Sequence, residues 1–219
     1  MKLVKPSYKI LSNLDSGKIL ENIEIAGRTC YKSEEKITKE SAKEFVKMII
    51  KRGHESVLEH EKITVKIICD RGVSHELVRH RIASFSQEST RYCNYSKDKF
   101  NNQVSFIIPF WLDLKENTNY EITVPSEDPK MIWLRSMSRA EVDYFRLVGV
   151  GKWSPQQARS ILPNSLKTEV VISANLREWR LIFKQRTAKV AHPQMREIMC
   201  PLLDELKIKL PIFFNDINY

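Results

Sequence analysis

Between positions 79 and 91 the chain reads Arg79-His80-Arg81-Ile82-Ala83-Ser84-Phe85-Ser86-Gln87-Glu88-Ser89-Thr90-Arg91. Guanidinium forks match phosphate oxygens two bonds at a time, and Gln87, Ser89 and Thr90 add neutral donors and acceptors. That is the donor set of an anion site. A solvated basic helix end followed by a polar loop is the plainer reading of the same residues. Arg159 ahead of Pro163, Arg177 behind Asn175, and Arg186 add three cations. Singly each is an ordinary surface arginine; together with the polar loop they have the charge to line an anion pocket.

Other clusters carry chemistry less securely. Gly53-His54-Glu55-Ser56-Val57-Leu58-Glu59-His60 is either a satisfied polar turn at a helix exit or a set of polar contacts to a ligand. His75-Glu76-Leu77-Val78-Arg79-His80 differs from the zinc-protease helix motif. Its histidines are five residues apart, about 140° around a helix, where four residues give about 40°, so no metal is expected. No glycine-rich phosphate loop occurs, so a nucleotide site has to be built from side chains and helix ends. Cys30, Cys69, Cys93 and Cys200 show no CxxC spacing and read as free thiols of a reducing compartment.

These residues need elements to hold them, and the composition allows a folded domain. Of 219 residues, 42% are hydrophobic and 29% charged, which excludes a disordered tail. The 36 basic residues outnumber 27 acidic ones, so anionic partners are favoured. The stretch Phe106–Leu112, interrupted by Pro109, is far shorter than the roughly 20 residues of a membrane span, and the charged N-terminal stretch has no leader-like apolar run. A cytoplasmic protein without a membrane partner is expected.

The periodicity predicts a helix through Ala42, Phe45, Val46, Ile49 and Ile50, with a Ser41/Glu44 capping box and a left-handed Gly53 after it. Ile63, Val65, Ile67 and Cys69 alternate as a strand. A helix capped by Ser74 and running to about Ser84 follows, then an irregular stretch over 84–102 and a strand over 103–108. Asp128-Pro129 opens a long helix through Trp133, Met137, Ala140, Tyr144 and Leu147. A short helix from Ser154 to Pro163, a strand over 167–174, a helix capped by Asn175, and a last helix from Pro193 kinked at Pro201 complete the chain. Strands and long helices without regular βαβ alternation predict an α+β fold, with residues 1–219 as one domain.

The Arg79-His80-Arg81 triplet, seven residues and Ser89 resemble the RHR-x7-S signature of the flavin-dependent thymidylate synthases. The surrounding agreement extends over roughly residues 25–205. Gly53–His60 stands about 20 residues upstream of the signature, as in that family. Ala158-Arg159-Ser160-Ile161-Leu162-Pro163 resembles its AR-x-x-LP segment and Asn175-Leu176-Arg177 its N-x-R. Arg186 with Ala191-His192-Pro193-Gln194 and Glu197-Ile198 resembles the closing segment.

The resemblance implies an α+β domain with a mixed or antiparallel sheet flanked by long helices, assembled as a homotetramer with flavin and nucleotide held between subunits. It implies conversion of dUMP to dTMP, with methylenetetrahydrofolate supplying the carbon, NADPH reducing FAD, and reduced FAD supplying hydride. Glu76, Arg79, Gln87, Glu88, Ser89, Thr90, Arg91, Arg159 and Arg186 match dUMP positions, with Arg186 as the arginine that activates the pyrimidine and Ser89 beside the reaction. Ser56, Arg79, His80, Arg81, Gln87, Asn175 and Arg177 match flavin positions, and Cys30 falls where the family can place a serine. Glu76 stands where many members carry glutamine, Leu181 where asparagine is expected, and the stretch from Arg186 to Glu197 is longer than in some relatives. Two other classes compete on the residues alone. A nucleic-acid-binding module would concentrate its basic charge, whereas here Lys36 and Lys39 lie among Glu34, Glu35 and Glu40. A metal-dependent hydrolase is disfavoured by the histidine spacing.

Overall fold

The computed structural model describes residues 1–122 and 124–219. Its strands are β1 (Lys2–Val4), β2 (Ser7–Ile10), β3 (Lys62–Asp70), β4 (Ala83–Gln87), β5 (Ser105–Ile107) and β6 (Lys167–Asn175). Its helices are α1 (Ser16–Tyr31), α2 (Ser41–Lys51), α3 (Arg71–Leu77), α4 (Pro129–Gly149), α5 (Pro155–Ala158), α6 (Leu176–Arg186), α7 (Pro193–Lys209) and α8 (Pro211–Phe214). This is the expected α+β mixture. β1 pairs in parallel with β5, Lys2 opposite Ser105, and a four-stranded sheet has the order β2-β3-β6-β4. Among the described residues no helix is long and apolar enough to cross a membrane. The chain divides into two compact units, one of residues 1–7, 67–77 and 86–170, the other of 8–66, 78–85 and 171–219.

In the first unit the core gathers Leu3, Phe106, Ile108, Leu134, Tyr144 and Leu166. Fully burying such a side chain stabilises by roughly 1.5–3 kcal/mol. Asp128 caps α4 by accepting from the Lys130 N–H, with Pro129 in the first helical position. The face that α4 buries is Leu134, Met137, Glu141 and Tyr144. It is turned from the expected Trp133–Met137–Ala140–Tyr144 stripe because Glu141 enters the interior, where its Oε1 accepts the Val104 N–H at 2.8 Å. A hydrophobicity count does not register a buried carboxylate.

The short helix α3 departs from expectation. Asp70 begins it, its Oδ1 accepting the Val73 N–H at 2.7 Å, while Ser74 is buried inside the helix and donates to the Arg71 carbonyl. The helix ends at Leu77 rather than Ser84, and the stretch expected to be irregular opens within strand β4. Arg79, His80 and Arg81 therefore follow the helix instead of lying on it, and the angular separation argued from a helix does not apply to His75 and His80.

In the second unit α1 packs on α2 and on the short 3-10 helix Glu55–His60. The closeness of α1 and α2 requires Gly27, since a Cβ there would lie 2.5 Å from Phe45 Cε1. The expected capping box does not form. Ser41 Oγ donates to Glu24 Oε2 at 2.8 Å, and Glu44 pairs with Lys47. The other end of α2 is as expected, with Gly53 at φ 69°, its N–H on the Ile50 carbonyl and the His54 N–H on Ile49. Asn175 Oδ1 accepts the Glu178 N–H and caps α6.

Two buried side chains of α6 knit this unit. Trp179 donates its indole N–H to the Ile63 carbonyl and stacks on Phe183, which meets Phe214 edge-on. Arg180 grips Asp216 with two bonds, of 2.8 and 2.6 Å, donates to Glu55 at 3.2 Å and reaches the Phe213 carbonyl. α7 runs from Pro193 through Pro201 to Lys209, with His192 capping it.

Candidate active site

In the first unit, the last two residues of β4 and the loop after it bring together most of the residues matched to the nucleotide. Gln87 Nε2 donates to Ser74 Oγ at 2.8 Å and to Thr168 Oγ1 at 3.2 Å, both on buried residues. Arg71 makes longer contacts of 3.4 Å to the Glu88 carbonyl and to Thr168 Oγ1. Glu88 is enclosed. Lys167 donates to its Oε2 at 2.9 Å and Tyr95 to its Oε1 at 3.1 Å. Burial, then the Glu88 charge, pushes the Tyr95 phenol well above its ordinary pKa and keeps it a donor.

The loop then turns on Ser89, whose carbonyl accepts the N–H groups of Tyr92 and Cys93 and whose Oγ accepts the Arg91 N–H at 3.3 Å. Arg91 is exposed, its guanidinium carbon 5.5 Å from the Tyr92 ring centre. Arg159, from the single turn after α5, donates to Thr90 Oγ1 at 3.1 Å. Glu76 lies on α3 in the same unit. Lys167 and Arg71 were not singled out in the sequence; the alternation of Lys167 and Glu169 with buried Thr168 and Val170 in β6 is the signal that one row of that strand is charged.

In the second unit a three-residue relay stands out. Glu178 Oε1 lies 3.1 Å from His80 Nδ1, and Arg186 Nε donates to His80 Nε2 at 3.1 Å. Histidine and glutamate are both buried. An arginine Nε–H only donates, so Nε2 is the unprotonated nitrogen and Nδ1–H donates to the carboxylate. Burial and the Arg186 charge lower the His80 pKa against the opposing pull of Glu178, which keeps the ring neutral.

Nearby, a cavity of about 310 Å³ is lined by Glu55, Glu59, Asn175, Arg177, Glu178 and Leu181, among others. Arg177 crosses it to Glu59 Oε1 at 2.6 Å. Leu181, where a polar residue was expected, presents an exposed apolar side chain to this cavity. Ser56, Arg79 and Arg81 are exposed in the same unit, and Cys30 is exposed on α1.

The model of the thymidylate synthase complementing protein family matches residues 15–212. A flavin-dependent thymidylate synthase of Mycobacterium avium (strain 104) is 30% identical over 98% of this chain and 85% of its own length. One of Corynebacterium glutamicum is 28% identical over 89% of this chain and 78% of its own. Among solved structures, the UMP/dUMP methylase PolB from Streptomyces cacaoi, bound with 5-Br dUMP, superposes with a TM-score of 0.72 at 21% identity over 98% of this chain and 96% of that one. Thymidylate synthase X from Helicobacter pylori, with FAD and dUMP, gives a TM-score of 0.71 at 24% identity over 97% and 98%. At such identities these two likenesses establish the fold, while the family match rests on sequence over nearly the whole chain. The chain belongs to the thymidylate synthase complementing protein family, that of the flavin-dependent thymidylate synthases.

Proposed function

We propose that this chain converts dUMP to dTMP, with methylenetetrahydrofolate as carbon donor, NADPH as reductant and non-covalent FAD as cofactor. The observation that carries the reading is the 3.1 Å bond from Arg159 to Thr90. Across 69 residues it joins the two arginine-bearing segments that match the family's nucleotide positions.

The residues present fit a flavin dinucleotide. The 310 Å³ cavity is at the small end of the about 300–1,000 Å³ range of ligand pockets. It carries the Arg177 guanidinium and the apolar Leu181 side chain, and the exposed Arg79, Arg81 and Ser56 supply further donors for phosphate oxygens. Asn175, Arg177, His80 and Gln87 complete the proposed flavin contacts. When bound, FAD supplies the hydride that turns the donated one-carbon unit into a methyl group.

The chain's own residues bind and polarise dUMP. Arg91 and Arg159 hold its phosphate; Arg79, Gln87, Ser89 and Thr90 bond phosphate and sugar, and Glu76 a sugar hydroxyl. Glu88 sits under the same loop, where Lys167 offsets its charge against a dianionic ligand. Arg186 opposes negative charge developing on the pyrimidine, an interaction stronger in the transition state than in the ground state. Ser89 accepts from the Arg91 N–H and acts by binding.

In this reading residues 1–219 act as one domain, since each compact unit is assembled from three separate stretches of chain. Four chains form the cytoplasmic enzyme, with flavin and nucleotide held between subunits and no nucleic-acid or membrane partner. Purified protein is expected to be yellow, to release FAD on denaturation, to scatter light as a tetramer, and to form dTMP only with NADPH and methylenetetrahydrofolate present. A colourless protein that fails to bind added FAD, or no dTMP under those conditions, would end the reading.

A further inference from the structure

Glu178 has two jobs in the fold that separate cleanly. Its backbone N–H is the group that Asn175 caps at the start of α6. Its side chain points away from that cap to His80. A carboxylate 5% exposed is costly to bury, and the cap would form with any residue but proline at this position. The side chain therefore needs a reason beyond the helix start. The reason lies at the far edge of the imidazole, where Nε2 takes the Nε–H of Arg186.

A neutral imidazole carries one proton on either of two nitrogens, and the bond made at one decides what the other can do. With the proton on Nε2, the ring would present N–H to the N–H of Arg186, and the contact would become a clash of donors. With the proton on Nδ1, both edges are satisfied. We propose that Glu178 is a positioning residue: its carboxylate keeps the His80 proton on Nδ1, leaving Nε2 as the acceptor that pins the Nε edge of Arg186. A guanidinium is planar, so fixing Nε–H fixes the direction in which its two NH2 groups point. Where Arg186 acts on the pyrimidine, which is the reading proposed above, Glu178 sets that direction from two bonds away without touching substrate.

The test uses the whole protein with 15N-labelled histidine and arginine. The unaltered chain is expected to show His80 with a protonated Nδ1 and a bare Nε2, and an Arg186 Nε–H slowed in exchange with solvent. Glu178→Ala, which keeps the backbone N–H for Asn175, is expected to shift His80 toward the Nε2–H tautomer and to speed exchange at Arg186 Nε. For metal-bound histidines the outer partner is worth about 10- to 100-fold. A loss of that size is expected in turnover at saturating dUMP and saturating FAD, with dUMP binding retained.

Glu178→Gln offers a carbonyl in the same place and is expected to keep the Nδ1–H tautomer and most of the turnover. It also covers the case in which the alanine variant fails to fold. An Nε2–H tautomer in the unaltered chain overturns the proposal, and so does an unchanged tautomer in Glu178→Ala. Alanine-like turnover in Glu178→Gln with Nδ1–H retained also overturns it. The spectroscopic arms decide the proposal whether or not the chain forms dTMP, so its failure and that of the thymidylate reading are read separately.

Discussion

Lys167 Nζ stands 2.9 Å from Glu88 Oε2 and 2.5 Å from Glu169 Oε1, one ammonium between two carboxylates. Burial favours the neutral amine, yet the bonds to Glu169 and then Glu88 hold the lysine pKa above its ordinary value. The charge is therefore permanent at neutral pH.

Lys167→Met should leave Glu88 partly buried, charged and short of a partner. Breaking a fully buried pair costs about 3–5 kcal/mol; this pair is partly exposed and Glu88 keeps the Tyr95 donor, so the loss should be smaller, and the uncompensated carboxylate should weaken dUMP binding roughly tenfold. Denaturant unfolding and dUMP titration measure the two effects. The double variant Lys167→Met/Glu88→Gln should recover much of the stability. Unchanged stability in the single variant would show that the pair contributes nothing.

Arg91→Ala and Arg159→Ala should each weaken dUMP binding by about ten- to a hundredfold, the worth of a hydrogen bond to a charged group. FAD content should survive in both, because neither residue is among the proposed flavin contacts and neither lines the 310 Å³ cavity. Equilibrium dUMP titration of the purified variants decides it, and normal affinity in Arg91→Ala would remove that residue from the phosphate site.

No side chain is expected to attack the pyrimidine. Burial raises the Cys69 thiol to about 12, and burial first also raises Cys93 and Cys200. Thiolates, not thiols, are nucleophiles. Cys93→Ala and Cys200→Ala should keep most of the turnover, and Ser89→Ala should still form dTMP with weakened dUMP binding. Mass spectrometry of quenched reactions would detect a covalent adduct; one on Ser89 or on any cysteine, lost with activity on its replacement, contradicts this.

The lowered pKa of His80 has a sign that can be checked. The unfolded chain binds the proton more readily than the folded one, so the contribution to stability is fully present above the ordinary histidine value of about 6.5. It is lost as pH falls through the lower folded value. Melting temperature should fall as pH is lowered from about 6.5 toward that folded value, and less so in His80→Gln, which keeps an acceptor for Arg186 but takes up no proton. Parallel melting curves against pH for the two proteins would contradict the assignment.

Much of this was readable beforehand because it is local. The Asn175 cap, the Asp128-Pro129 entrance and the left-handed Gly53 depend on residues within one turn of each other. Helix α1, capped locally by Asp15, was overlooked; the short strands missed depend on distant partners. β1 finds Ser105–Ile107 across a hundred positions, and its three residues carry no period of their own. Ser74 has every local mark of a cap, yet Asp70 four residues earlier takes that role and Ser74 is left to receive Gln87. The signature residues were legible as types; that His80 would be gripped on both edges, by Glu178 from one end of α6 and Arg186 from the other, required the fold. Helix α6 is 11 residues long, and no spacing rule relates its ends to a loop about a hundred positions earlier.

The Arg180 clamp also imposes an order on synthesis. The Glu55 turn is made long before either residue, and Asp216 is made 36 residues after Arg180. Until then the guanidinium that steadies Glu55 lacks its two-bond partner, and one wall of the cavity is unsupported. In a growing chain the two-bond grip behind that wall is thus among the last contacts that can form.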